Sequence, residues 1–327
     1  MDLMEVLSER SRLVDRALEE ALDLNVQKKL YDAMRHLPLA GGKRLRPALA
    51  MVVADAINGS GMRTLPFGVA LEITHNFTLI HDDLMDRDDL RRSVITVHKA
   101  YDEATAINAG DVLFARAFEV LTDLDCDDRI FREIVGDLAR TVRLIGEGQQ
   151  LDMDFGRQEH VTEEDALLMV KLKTAVLFET AAKGAALIAG ADERLVEDMK
   201  GYGLNLGIGF QLHDDLQDII GEERTTGKPR WSDLREGKKT VILIHALEHA
   251  APKDRDLILR TIGRPDVTNE EIAQVVDVLN WTGSIVYAQT LTRRYAEKAK
   301  EYLFGLEESE HKDLLVALAD FTITREK

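Results

Sequence analysis

Cysteine is almost absent. Cys126 is the only one in 327 residues, which excludes an intrachain disulfide or a zinc site built on paired cysteines and fits a reducing, cytoplasmic setting. Proline is nearly as scarce, with six in all and none between Pro66 and Pro229, so no residue of that kind interrupts a helix across that stretch. No run of about 18 uncharged apolar residues occurs that could span a bilayer. The acidic, amphipathic opening from Met1 to Glu20 has neither the basic start nor the short apolar core of a signal peptide. Sustained alternation of β-branched and polar residues is missing, as are low-complexity tracts and solenoid repeats. Positive charge is also short. Lys and Arg number 42 against 59 acidic residues, a formal charge of −17, which repels nucleic acid and anionic membrane surfaces. An anionic small substrate would have to be caught locally, by clustered cations or by divalent metal.

What the chain does have is helical material. It is 45% apolar, enough for a buried core, and residues such as Met199, Tyr202, Leu206 and Phe210 recur at three- and four-residue spacing. The whole chain reads as helices in one domain. Breaks are expected at 39–43, 58–63, 124–128, 189–192, 222–230 and 251–254, where Gly, Pro and polar residues gather.

Two acidic motifs stand out. In His81-Asp82-Asp83-Leu84-Met85-Asp86, Asp82 and Asp86 are four apart and share one helix face; Thr78 and His75 extend that polar seam backwards. In Gln211-Leu212-His213-Asp214-Asp215-Leu216-Gln217-Asp218, Gln211, Asp214 and Asp218 make a comparable stripe. With 32 aspartates in the chain, chance predicts about 0.3 matches to Asp-Asp-x-x-Asp, so two copies after apolar helical stretches are more than solvated charge. Such carboxylates, pointed into a cavity, suit a hard cation such as Mg²⁺. Arg91 and Arg92 follow the first motif, and Lys228, Lys238 and Lys239 the second. Carboxylate-bound magnesium beside Arg and Lys is the donor set for a diphosphate, and metal-assisted departure of diphosphate is the chemistry it points to.

In order along the chain, Gly41-Gly42-Lys43-Arg44-Leu45-Arg46-Pro47, Asp82 to Arg92, Lys173-Thr174, Phe210 to Asp218, Gly227-Lys228 and Asp233 to Thr240 resemble the motifs of the trans-isoprenyl diphosphate synthases, the polyprenyl synthetase family. The resemblance runs from Gly41 to about Arg325. It implies a single-domain, all-α bundle of long antiparallel helices around a central cavity, spanning residues 1–327, and a homodimer. By the same resemblance, Asp82, Asp86 and Asp214 bind Mg²⁺, three ions in all, with Asp218 contributing through water. Arg91, Lys173, Thr174, Gln211, Lys228 and Lys238 hold the allylic diphosphate, and Lys43, Arg46, His75 and Arg92 hold the diphosphate of isopentenyl diphosphate. Ionisation, condensation and proton loss follow, with the protein supplying leaving-group stabilisation and positioning. Ser93-Val94-Ile95-Thr96 replaces the family's usual Gly-x-Pro-Thr, which predicts a differently angled turn.

Product length should depend on what floors the cavity. Phe77 lies five residues before Asp82, about 7.5 Å lower at about 1.5 Å per residue, while Thr78 and Thr74 are small. One aromatic at the earlier position and no insertion in the first motif resembles archaeal-type geranylgeranyl diphosphate synthases, so a twenty-carbon product is expected. A farnesyl diphosphate synthase or a class I terpene cyclase is the alternative, the latter disfavoured by Lys43, Arg46 and Arg92. Asn108 to Asp111 and the glycines at 201, 203, 207 and 209 read as helix packing. Asp88, Asp89 and the acidic stretch 123–128 read as solvated turns.

Overall fold

In a computed structural model, the structure describes residues 1–23, 26–158, 160–221, 230–264 and 266–324. Helix makes up nearly all the regular structure, as the periodicity predicts. The exception among the described residues is a short antiparallel ribbon that pairs Leu90–Arg91 with Val94–Ile95, so the expectation of helix throughout fails at this segment. No helix among the described residues is long and apolar enough to cross a membrane. The chain divides into two compact units: Met1–Val142, Leu177–Gly203 and Tyr302–Leu318 form the first; Arg143–Val176, Leu204–Glu301 and Ala319–Lys327 the second.

In the first unit, α1 (Leu3–Ala21), α2 (Lys28–His36), α3 (Leu45–Asn58), α4 (Leu65–Asp86), α5 (Val97–Ala100) and α6 (Glu103–Leu121) follow one another. Val69, Ile73, Phe77 and Ile80 of α4 pack with Ala106, Ala109, Leu113 and Ala117 of α6 and with Leu18, Ala33 and Met34. These positions recur every three or four residues, which is why both helices form and why they face each other. Each fully buried Leu or Ile contributes about 1.5–3 kcal/mol. Helix α4 opens with a proline in its first turn and stops at Arg87, whose left-handed backbone (φ 60°) lets its N–H bond to Asp83 O. Phe67 and Leu71 are also buried, so α4 is enclosed on most sides, and its buried Glu72, Asn76 and Asp83 need polar partners.

The segment after α4 shows what replaces the Gly-x-Pro turn. The pairing Leu90 with Ile95 and Arg91 with Val94 leaves Arg92 and Ser93 as a two-residue loop, and both are left-handed, at φ 52° and 62°. That is the backbone of a type I′ hairpin, which Gly enters without steric cost and Ser does not. Asp88 and Asp89 are not simply solvated: their carbonyls accept from Thr96, and their carboxylates pair with Arg91 at 3.1 Å and Lys99 at 2.8 Å. Relief of the left-handed strain, offset by the greater freedom of unfolded glycine, should make Ser93→Gly more stable by about 0.5 kcal/mol. A urea midpoint at or below that of the parent protein would refute this.

In the second unit, α7 (Asp128–Phe155, from Arg143 onward) leads to α8 (Glu163–Val170), which begins with a reciprocal Thr162–Asp165 capping box. The same run of chain continues as a π-helical turn, Lys171–Ala175, and then as α9 (Val176–Ile188), which from Leu177 onward belongs to the first unit. At its end the Val176 N–H donates to Lys171 O, five residues back. Helix α10 (Glu193–Ile220, from Leu204 onward) carries the second acidic motif. Shorter helices follow at Ser232–Glu236, Val241–His249, Pro252–Thr261, Asn269–Trp281 and Ser284–Glu301. Leu216, Ile219, Trp231, Ile242, Val275 and Ile285 belong to one apolar cluster; Ala175, Ile208, Leu212, Val241 and Ile244 belong to another. The expected breaks coincide with helix ends wherever they are described; 222–229 lies outside the described residues.

Candidate active site

Within the first unit the seam His75, Thr78, Asp82, Asp86 runs down α4 as the four-residue spacing requires. Asp82 and Asp86 are partly exposed, whereas Asp83, one residue on and about 100° round the helix, is 1% exposed. Arg91 Nε donates to Asp83 at 2.6 Å, and its Nη2 lies 3.1 Å from Asp88 and 3.7 Å from Asp82. Burial pushes the Asp83 carboxyl up to about 6 even though Arg91 pulls the other way. Asp83 therefore anchors Arg91, while Asp82 and Asp86 stay partly exposed.

A second cluster surrounds Arg92. Its Nη1 donates to Gly41 O (2.5 Å) and Asn76 Oδ1 (3.2 Å), and Gly42 comes so close that an added Cβ would sit 3.1 Å from Arg92 Cζ. Asn76 is held by Glu72, and Glu72 accepts from Arg44 Nη1 at 2.6 Å. Arg44 also binds Asp15 and Pro38 O and is 2% exposed, so it fixes the glycine loop. Arg46 stacks over the Phe178 ring at 4.4 Å, and Lys43 is exposed. Burial first, then the nearby charges of Arg46, Arg92 and Arg91, hold His75 well below the usual histidine pKa. At neutral pH it is an uncharged hydrogen-bonding group within a cationic cluster.

The second unit brings the other motif residues together. Lys173 and Thr174 sit on the π-helical turn; Lys173 Nζ binds Asp152 at 2.7 Å and Thr174 Oγ1 donates to Gln211 at 3.0 Å. Gln211 in turn donates to Asp215 at 2.8 Å. Asp214 is exposed and Asp215 is 7% exposed. Burial, then the charges of Asp233 and Asp214, raise the Asp215 carboxyl well above its ordinary range, partly countered by Gln211 and Lys238. The pattern of the first motif repeats, with an outer carboxylate open and the middle one buried. Lys238 pairs with Glu236 at 2.7 Å and lies 3.8 Å from Asp233. Lys228 lies outside the described residues.

Asp218 is committed elsewhere. Its carboxylate accepts from Ser232 N (3.0 Å), Ser232 Oγ (2.6 Å) and Asp233 N (3.1 Å), which caps the helix Ser232–Glu236 leading into Lys238. Asp218→Asn removes the charge that strengthens these bonds, so unfolding in urea should become easier by about 1–2 kcal/mol. Unchanged stability with weakened magnesium binding would instead assign Asp218 to the metal.

Phe77 is buried, its ring 5.5 Å from that of Phe114, which lies 5.3 Å from Phe118, both on α6. Thr74 is wholly buried, and Thr78 Oγ1 bonds to His75 O. Gly110 sits against the His81 ring, where an added Cβ would lie 2.8 Å from Cε1. The sequence reading quoted Arg44 within a motif but gave it no role of its own, and it missed Glu72, Asp152, Phe114 and Phe118. Only the four-residue spacing of the two phenylalanines offered a signal.

Among the described residues no three His, Cys, Asp or Glu side chains form a ready-made metal cage. The partly exposed Asp82 and Asp86 in the first unit, and the exposed Asp214 in the second, are each of the kind that suits Mg²⁺, which binds through one or two carboxylates and completes its shell with water and phosphate oxygens. Buried Asp83, held by Arg91, and buried Asp215, held by Gln211, are not.

Residues 27–279 match the family described as polyprenyl synthetase. The geranylgeranyl diphosphate synthase of Methanosarcina mazei is 43% identical over 326 residues, which is 100% of this chain and 99% of that protein. The crystal structure of geranylgeranyl pyrophosphate synthetase from Pyrococcus horikoshii Ot3 superposes with a TM-score of 0.93 at 35% identity, covering 98% of this chain and 99% of that one. A polyprenyl synthase from Caulobacter crescentus CB15, complexed with calcium and isoprenyl diphosphate, gives 0.90 at 31% identity, covering 99% and 97%.

Proposed function

The chain belongs to the polyprenyl synthetase family, and from that premise we propose that this prenyltransferase couples an allylic diphosphate head-to-tail with isopentenyl diphosphate to give geranylgeranyl diphosphate. The observation that carries the reading is the repeated acidic motif, in which the first aspartate is at least partly exposed and the second is buried, each beside cations. Asp82, Asp86 and Asp214 are assigned to divalent metal, taken as three Mg²⁺ ions; the calcium-bound relative supports divalent metal here. Bound metal would draw charge from the departing diphosphate.

The protein's own groups do the rest. Arg91, Lys173, Lys228 and Lys238, with Thr174 and Gln211, hold the allylic diphosphate while its C–O bond breaks and the electron pair leaves with the diphosphate. Lys43, Arg46, Arg92 and neutral His75 hold the second substrate by its own diphosphate, so that its double bond meets the allylic cation. The new C–C bond forms, and the proton lost from the product goes to the released diphosphate. No side chain needs to act as acid or base. Residues 1–327 are read as one polyprenyl synthetase domain, and the enzyme as a cytoplasmic homodimer; both rest on the family likeness.

Incubation with labelled isopentenyl diphosphate and dimethylallyl, geranyl or farnesyl diphosphate, with and without Mg²⁺, should give metal-dependent twenty-carbon product. Absence of condensation with all three primers would overturn the reading. Diphosphate release without isopentenyl incorporation would make the protein a cyclase.

A further inference from the structure

Two helices grip the π-helical turn in the same way. On α7, Gly148 lies so close that an added Cβ would press on the Lys173 backbone nitrogen and sit 2.8 Å from Leu172 C and Lys173 Cα. Four residues on, one turn along the same face, Asp152 binds the Lys173 ammonium at 2.7 Å. On α10, an added Cβ at Gly207 would sit 2.7 Å from Ala175 Cα and 2.9 Å from its Cβ, and four residues on, Gln211 accepts from Thr174 at 3.0 Å. Each helix thus contributes a glycine against the backbone of the turn and, four residues later, an acceptor for one of its side chains.

We propose that Gly148 and Gly207 are positioning residues, and that the paired clamps Gly148/Asp152 and Gly207/Gln211 set where Lys173 and Thr174 meet the allylic diphosphate. This rests on the roles given above to those two side chains. A π-helical turn has poorer backbone hydrogen bonds than the α-helix around it and survives where its surroundings favour it. Backbone contact on two sides supplies that here. A methyl group at either glycine meets main-chain atoms, which cannot rotate away, so the turn itself must move. A displacement near 1 Å at a positioning group costs up to about 100-fold in rate.

The test compares steady-state kinetics and stability across a set of single variants. Gly148→Ala and Gly207→Ala should each raise the KM for the allylic diphosphate, or lower its kcat/KM, by about 10- to 100-fold, with the KM for isopentenyl diphosphate within about twofold. Gly203→Ala carries a comparable clash, 2.9 Å from Phe178 C, but away from the π turn. It should destabilise the protein while leaving the allylic KM alone. Gly146, on α7 with nothing within 4 Å of its added Cβ, should tolerate Ala in both respects. If the two clamp glycines behave like Gly203, losing stability with no allylic-selective defect, the proposal falls. If neither alanine variant folds, the isosteric Asp152→Asn must show the allylic-selective defect, and its failure to do so is equally fatal. Lys173→Ala separates the proposal from its premise. An unchanged allylic KM there would sink the role of Lys173 itself, whereas a raised one beside silent glycine variants would sink only the clamp.

Discussion

Asp82→Asn is expected to lower the condensation rate by about 10³-fold while the protein stays folded, and Asp214→Asn should do the same. Both carboxylates are at least partly exposed and the amide has the same shape, so each variant should remain folded. In the proposed role they act on charge at the leaving group, where removing one stabilising contact commonly costs 10²–10³ or more. The double variant should be little slower than the worse single one, because groups acting as a unit on one leaving group do not add. Rates measured with excess Mg²⁺, alongside urea unfolding of each variant, decide the matter. Losses under about tenfold in both single variants, or additive losses in the double, would remove the shared metal role.

The four-residue ladders and the cations after them were legible in the sequence, because i and i+4 share a helix face whatever the tertiary setting. Which neighbouring aspartate turns inward was not. That depends on which side of the helix is covered, and α4 is apolar on most sides, so its pattern does not single out the side that would bury Asp83. Asp218 escaped for a related reason: its partners, Ser232 and Asp233, lie fourteen and fifteen residues along the chain and meet it only once the helix Ser232–Glu236 folds back. The Arg92-Ser93 turn was visible as a departure from Gly-x-Pro, but its tight hairpin form follows from the register of Leu90 against Ile95. The π-helical turn left no trace in apolar periodicity. The backbone approaches at Gly148 and Gly207 that flank it were equally hidden, because a single glycine inside a helical pattern fits close packing on any side, a cap or a bend equally well.

Phe77→Ala should lengthen the product beyond twenty carbons, with Thr78→Phe shortening it toward fifteen. Phe77 hangs from α4 a turn and a half below Asp82, and its ring is backed by Phe114 and then Phe118 on α6. Truncation removes the first layer of that aromatic stack and leaves the second, so the tail should gain a limited extension. Because the ring is 8% exposed, the substitution also costs about 3–5 kcal/mol if the gap does not collapse, and chain length must be read from protein shown to be folded. Thr78 lies one residue further along α4 and is small enough that an aromatic there would raise the floor instead of packing beneath it. Opposite shifts from the two substitutions, measured by chromatography of the dephosphorylated alcohols, are the signature of one physical stop on α4. Active Phe77→Ala enzyme with an unaltered product distribution would place the stop elsewhere.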